Sequence, residues 1–237
     1  GRKEAVLASI EQQGKLTEEI KKDIAQFTKL SQVEDYYKPY AQKKKTRAGV
    51  AIKNGLEPLA NWMISLPISG SLSQQASQYL NEEVKDVDAA IQGAKDIIAE
   101  MVSDNAKQRW AFKDTIVSSG VMSTKLKKNA QDEKKVYQNY YEYEERVKTL
   151  ADHRIMAINR AEKEKVITVS FNYDKEFLQN KAFKNLVKNK ETIVSKELKE
   201  ACDDGCTRLL FPSIEREIRN DLSERAQMKS IEIFSTN

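Results

Sequence analysis

The sequence predicts a mainly α-helical protein with one or two short β-strands. Of its 237 residues, 40% are hydrophobic and 32% are charged, while only 8 are Gly and 4 are Pro. The hydrophobic share supports a real core, and so few turn residues favour helices over a sandwich or barrel that needs many tight turns. The length suits one large domain or two ordinary ones.

Two helices are predicted near the N-terminus. Thr17 precedes two acidic residues and an apolar rhythm, so we expect it to cap a helix. Ser31 and Glu34 have the spacing of a capping box, which predicts a helix over residues 32–38 that Pro39 ends. The stretch after Pro39 is therefore predicted to connect two helices.

The segment after this connector also favours short helices. Residues 48–64 suit a helix that Gly55 and Pro58 interrupt, and residues 66–71 have the composition of a loop. This pattern predicts helices at close spacing along the chain.

An amphipathic helix is predicted next, followed by a second helix over residues 105–117 that Gly120 ends. The apolar face of the first helix comprises Val87, Ile91, Ala94, Ile98 and Met101. Short helices in this order suggest a helix-turn-helix-like part, within a small helical subdomain over residues 46–123.

The hydrophobic period changes between residues 166 and 173, where Ile167, Val169 and Phe171 alternate with polar residues. A period of two predicts a β-strand. Helical spacing then returns, and Pro212 is expected to start a long final helix. One face of that helix carries Ile214, Ile218, Leu222 and Ala226.

The positive charge of the chain is local. Six cations and no acidic residue lie between positions 38 and 53, which leaves 34 basic and 36 acidic residues elsewhere in a chain of net charge +4. We call these six residues the basic connector: Lys38, Lys43, Lys44, Lys45, Arg47 and Lys53. Local positive potential binds phosphates, so the basic connector is the candidate nucleic-acid-binding site.

Alternatives to this interpretation remain open. The connector is also consistent with a solvated loop whose lysines maintain solubility, and pairing of Arg47 with Glu34 or Asp35 would make Arg47 structural. The neighbouring aromatic residues Tyr36, Tyr37 and Tyr40 suit either stacking on bases or packing into the core.

Two further sets are weaker candidates. Tyr137, Tyr140, Tyr141 and Tyr143 follow two lysines, and their spacing predicts rings along one helix face, which is more typical of a core or domain interface than of a base platform. A second acid-free run is expected to be solvated on a helix. It comprises Lys181, Lys184, Lys188 and Lys190.

No constellation of catalytic residues is present in the sequence. His153 is the only histidine and no nucleophile motif accompanies it, so we interpret it as a helix-start residue beside a capping Asp152. Cys202 and Cys206 supply half of a zinc site and are expected to be reduced structural thiols. No Gly-rich phosphate loop appears. We therefore predict no enzyme activity, no metal and no cofactor.

No window approaches 18 apolar residues, so a soluble, cytoplasmic protein without a membrane partner is expected. No small-molecule substrate is expected either. The chain begins with Gly and shows no signal-peptide pattern, which suggests a fragment of a longer protein.

Four stretches of the chain resemble the Tex family of bacterial transcription accessory proteins. They are VLASIEQQGKLTEEI at 6–20, YYKPYAQKKKTRAGVAIKNGLEPLA at 36–60, YYEYEERVKTLADHRIMAINRAEKE at 140–164 and TRLLFPSIEREIRNDLSERA at 207–226. Together they span nearly the whole chain in the order found in the family.

This resemblance implies that residues 1–237 are the helical N-terminal region of a Tex-like protein, lacking the first helices of the family. In the family an RNase H-like domain of YqgF type, helix-hairpin-helix motifs and an RNA-binding barrel follow this region. The implied function is contact with RNA or DNA in transcription, with the transcription machinery as a further partner. The alternative is a helical scaffold that positions the absent domains and docks a protein through Trp62, Trp110 and the second tyrosine set.

Overall fold

The computed structural model describes residues 1–41 and 45–236, with side chains up to residue 232. Its α-helices, in chain order, are α1 Arg2–Gln12, α2 Glu18–Gln26, α3 Leu30–Tyr37, α4 Arg47–Lys53, α5 Glu57–Ile64, α6 Leu72–Ser77, α7 Val87–Asp104, α8 Ala106–Ser119, α9 Asp152–Lys163, α10 Lys175–Val187, α11 Ser195–Asp204 and α12 Phe211–Thr236. The strands are β1 Val121–Leu126, β2 Glu142–Arg146 and β3 Ile167–Asn172. The mainly α fold is confirmed.

The chain divides into two compact units, each built from two segments. Unit 1 comprises Gly1–Trp110 and Glu176–Phe211, and unit 2 comprises Ala111–Lys175 and Pro212–Asn237. A helix-turn-helix-like part within residues 46–123 stays a prediction.

The first three helices of unit 1 share an apolar cluster. Thr17 caps α2 as predicted, because its side chain accepts a hydrogen bond from the backbone N–H of Ile20. Helix α3 ends at Tyr37, just before Pro39, but it begins earlier than the sequence suggested. The Gln32 side chain, rather than a Ser31–Glu34 box, accepts the backbone N–H groups of Thr28 and Lys29 at 3.2 and 3.1 Å.

Helix α7 is the centre of the rest of unit 1. Helices α4, α5, α6 and α11 and a π-helix over Gly205–Leu210 all pack against it. Gly205 permits the closest approach, since a Cβ atom at this position would lie 2.4 Å from the carbonyl oxygen of Ala99. Of the apolar face predicted for α7, Ala94 and Ile98 are fully buried while Met101 is 46% exposed.

Unit 2 contains an antiparallel sheet with strand order β2-β1-β3. Strand β3 confirms the predicted alternation, and α9 packs against it. The predicted face of the final helix is also confirmed, because all four of its apolar residues are buried in α12. The sheet has more strands than expected, since β1 is buried at Met122, Ser123 and Thr124 in succession and so lacks an alternating pattern.

No helix within the described ranges is long and apolar enough to cross a membrane.

Candidate nucleic-acid interface

The described residues of the basic connector lie at the ends of helical segments in unit 1. Lys38 begins a 3-10 helix over Lys38–Tyr40, Arg47 is the first residue of α4, and Lys53 is the last. These three side chains and Lys45 are exposed. Lys43 and Lys44 lie outside the described residues.

Thr46 fixes the start of α4 and thereby the position of Arg47. Its hydroxyl oxygen accepts the backbone N–H of Gly49 at 2.9 Å, and its hydroxyl group donates to Glu100 at 3.0 Å. Ala48 and Ala51 are buried on the face of α4 that packs against α7. Because this face is buried, the cations at the two ends of α4 point towards solvent.

The basic connector borders acidic side chains. A hydrogen bond from Arg208 holds the pKa of Asp204 below its usual value, and the positive charges of Arg47 and Lys95 lower it further. The charge of Arg47 is therefore partly balanced by Asp204. Phosphate binding at this position competes with that local attraction.

The structural partners considered for Arg47 are engaged elsewhere. Glu34 accepts hydrogen bonds of 2.5 and 3.1 Å from the guanidinium of Arg2, which lower the pKa of this carboxyl group. Asp35 accepts a hydrogen bond of 3.1 Å from the indole of Trp110. Among the ion pairs of the described residues, none joins Arg47 to either carboxylate.

The tyrosines beside the connector favour the packing alternative. Tyr36 donates a hydrogen bond of 2.8 Å to Asp23 and lies edge-on against Phe27, and burial followed by this bond raises its pKa. The hydroxyl groups of Tyr37 and Ser9 are 2.7 Å apart. These contacts hold both rings against the N-terminal apolar cluster. Base stacking on these rings would require breaking these contacts.

The prediction that the second tyrosine set lies along one helix face is wrong. In unit 2, Tyr137 and Tyr141 lie in loops, Tyr140 ends a 3-10 helix, and Tyr143 is in β2. Residues 127–141 form the connection between β1 and β2 and contain no α-helix, so the helical spacing of these rings does not place them on one face.

Asp132 organises this connection. Its carboxylate accepts the backbone N–H groups of Tyr137 and Val136 at 2.9 and 3.0 Å, and the hydroxyl of Tyr141 at 2.7 Å. The hydrogen bond from the backbone of Tyr137 is the main cause of a lowered Asp132 pKa. This local use of a carboxylate overrides helix formation after Asp132.

The histidine and the cysteines that the sequence singled out lie in or next to helices. His153 is exposed in the first turn of α9. Asp152 does not cap that helix as predicted, because it is already the first helical residue and accepts a hydrogen bond of 2.8 Å from Arg225.

Cys202 and Cys206 are free and fully buried, and a hydrogen bond between the thiols together with burial raises the pKa of Cys202. Over the described ranges, no group of three His, Cys, Asp or Glu side chains is arranged to hold a metal ion.

Comparison with known proteins identifies the family. Residues 69–234 match the model of the Tex central region-like family, which is more than half of the chain. The chain belongs to the Tex family. The match begins after the basic connector, so the connector lies outside the central region of this Tex-family chain.

Individual relatives cover the connector as well. The uncharacterized protein YdcI of Bacillus subtilis is 43% identical over 100% of this chain and 33% of its own length. The transcriptional accessory protein Tex of Neisseria gonorrhoeae is 28% identical over 100% of the chain and 32% of its own length. The human S1 RNA-binding domain-containing protein 1 is 26% identical over 98% of the chain and 25% of its own length. The chain thus spans a quarter to a third of these relatives.

Proposed function

We propose that this chain is a non-catalytic helical region of a Tex-like transcription accessory protein, and that its basic connector contacts the phosphate backbone of RNA or DNA. The observation that carries the proposal is the exposure of Lys45, Arg47 and Lys53, none of which forms an ion pair among the described residues. Exposed cations that are not held by carboxylates release counterions when they neutralise phosphates.

The connector is suited to holding a backbone and not to reading a sequence. Lysine ammonium groups act as point charges on phosphates, whereas base readout needs side chains presented in a groove by a recognition element. The aromatic neighbours Tyr36 and Tyr37 are committed to the apolar cluster of unit 1. Binding without sequence preference is therefore the proposed mode.

The names of two relatives support the biological context. One is a transcriptional accessory protein and another carries an S1 RNA-binding domain in its name. For the longer protein that contains this region, we propose association with the transcription machinery in the cytoplasm.

The proposal is tested by fluorescence anisotropy with labelled single-stranded RNA, single-stranded DNA and duplex DNA at several salt concentrations. The test variant replaces Lys43, Lys44, Lys45 and Arg47 with Glu. On single strands we expect the log–log salt slope of the affinity to become less steep by about 0.7 for each phosphate that the variant no longer neutralises.

The control variant replaces Lys181, Lys184, Lys188 and Lys190 with Glu, which makes the same change in net charge on exposed residues of unit 1. Equal affinities of the two variants would refute the proposed interaction. Absence of RNA binding by the wild type even at low salt would favour the alternative function, a scaffold that docks a protein, and the half-buried Trp62 on α5 would be the first residue to replace.

A further inference from the structure

A second group of cations gathers at one end of the sheet in unit 2. We call this group the lysine edge; its seven members are Lys125, Lys127, Lys128, Lys134, Lys135, Lys163 and Lys165. All seven side chains are exposed. Five of them lie within residues 125–135, and strand pairing adds Lys163 and Lys165 from further along the chain.

Strand pairing brings the two ends of this segment together. Strands β1 and β3 are antiparallel, with Leu126 opposite Ile167, and the backbone N–H of Lys127 donates to the carbonyl of Val166 at 2.8 Å. Lys127 therefore lies beside the segment that contains Lys163 and Lys165. The end of β1 and the start of β3 form one cationic rim.

The connection between β1 and β2 adds the other lysines to the same rim. It leaves the sheet after Leu126 and returns at Tyr141, whose carbonyl accepts the backbone N–H of Leu126 at 2.7 Å. Asp132 fixes its middle through Val136, Tyr137 and Tyr141. Lysines carried on a backbone fixed in this way lose less conformational freedom on binding than lysines on a free loop.

Tyr137 ties this connection to the end of α9. Its ring is buried, with 7% of its surface exposed. Its hydroxyl interacts with Glu164, and this interaction is the largest cause of its raised pKa. The lysines of the connection and those that flank Glu164 are thus parts of one surface.

Most acidic side chains near the lysine edge already have partners. Asp132 binds backbone N–H groups, Glu164 binds Tyr137, and Glu162 accepts a hydrogen bond of 2.8 Å from Arg219. Only Glu133 and Glu142 remain in these described segments. None of the seven lysines forms an ion pair among the described residues. Hydrogen-bonded carboxylates keep their charge, but the seven lysines outnumber the five carboxylates of these segments, one of which Arg219 already balances, so the local net charge is positive.

We propose that the lysine edge is a second phosphate-binding surface for nucleic acid, independent of the basic connector. This inference rests on the proposed contact with nucleic acid but assigns it to different residues. Ammonium point charges along an open rim suit successive phosphates of a strand, without a cavity that would enclose a small ligand. Leu126 and Val136, which are 50% and 67% exposed, lie among the lysines and would contact sugars or bases.

The test variant replaces Lys127, Lys128, Lys134 and Lys135 with Glu in the 237-residue chain. The control replaces Lys181, Lys184, Lys188 and Lys190 with Glu, which gives the same change in net charge. Each set also includes one residue with a left-handed backbone, since Lys135 and Lys188 both have φ of 53°. Circular dichroism melting verifies that both variants fold.

Binding to a labelled single-stranded RNA is measured by anisotropy at several salt concentrations. At about 50 mM salt we expect the lysine-edge variant to lose at least about 10-fold in affinity, with a shallower salt slope, and the control to lose about 3-fold or less. Equal losses in both variants, or binding of the wild type to phosphatidylserine vesicles with unchanged RNA affinity in the variant, would overturn the inference.

The variant of the basic connector separates the two proposals. If the lysine-edge variant binds normally while the connector variant does not, this inference fails and the proposed function stands. If the lysine edge alone matters, the nucleic-acid contact stands and its assignment to the connector fails.

Discussion

The basic connector and the lysine edge both place tyrosines next to exposed cations, but they treat nearby acids differently. At the connector, the charge of Arg47 helps to lower the pKa of Asp204, but this carboxylate is already paired with Arg208 at 2.8 Å. At the lysine edge, the hydrogen bonds to Asp132 come from neutral backbone N–H groups and a tyrosine hydroxyl. A carboxylate that is already hydrogen-bonded within its own loop still carries charge but does not hold a lysine in an ion pair.

The available positive charge depends on which cations are held in ion pairs. Cations that are not held by carboxylates retain their freedom to neutralise phosphates, and proximity in space sets the potential, whatever the distance along the chain. Strand pairing adds Lys163 and Lys165 to the five lysines of residues 125–135, so the lysine edge gathers more positive charge in space than its sequence suggests.

Removing both surfaces at once gives the largest expected effect. The combined variant carries the Glu substitutions of the connector and of the lysine edge. If the surfaces act independently, their effects on the binding free energy add, and the affinity for single-stranded RNA falls by at least about 100-fold at low salt. Fluorescence anisotropy measures this affinity. A combined loss no greater than that of the stronger single variant would show that the two surfaces do not bind one strand together.

For Asp132→Ala, the direction of the change in RNA affinity distinguishes an effect of charge from an effect of backbone order. It removes a negative charge from a basic surface, so charge alone predicts tighter binding. We expect weaker binding instead, by about 3-fold, because the connection between β1 and β2 loses its anchor and must be ordered on binding. Asp23→Ala, which removes a carboxylate that pairs with Tyr36 and Lys107 in unit 1, is the control for loss of a negative charge elsewhere. A gain in affinity for Asp132→Ala would contradict the role of this anchor.

The same carboxylate predicts a dependence of stability on pH. The pKa of Asp132 is lower in the folded protein than the ordinary value of 3.8. Its contribution to the free energy of unfolding is therefore fully present above that value and is lost as the pH falls through the lowered folded pKa. Thermal melts of the wild type and of Asp132→Asn at decreasing pH measure this contribution. The two melting curves should converge below pH 3.8, and a constant difference would refute the prediction.

Tyr36→Phe gives the smallest expected change in binding. The substitution keeps the ring and removes the hydrogen bond to Asp23. We expect RNA affinity within about 2-fold of wild type and a loss of about 1 kcal/mol in the free energy of unfolding, measured with urea. A marked loss of affinity with unchanged stability would show that the tyrosine contacts bases.

The sequence was sufficient where local periodicity and local caps determine the structure. Thr17 caps α2, Pro39 follows the end of α3, and the buried face of α12 follows the spacing of Ile214 and Ile218. These features depend on neighbours within one or two helical turns, which a reading of spacing detects.

It failed where distant segments determine the structure. The helix assigned to Tyr137, Tyr140 and Tyr141 is replaced by a connection that Asp132 holds and that returns to β1. The lysine edge likewise gains Lys163 and Lys165 only after β1 pairs with β3. Local spacing carries no information about such pairing, which is why the sequence predicted the connector and missed the lysine edge.

Lysine footprinting tests both surfaces in one experiment, because mass spectrometry measures the acetylation of each lysine with and without single-stranded RNA. We expect protection of Lys45, Lys53 and the lysine edge, and unchanged reactivity at Lys181 and Lys184. Equal protection of all exposed lysines, or of none, would contradict this expectation.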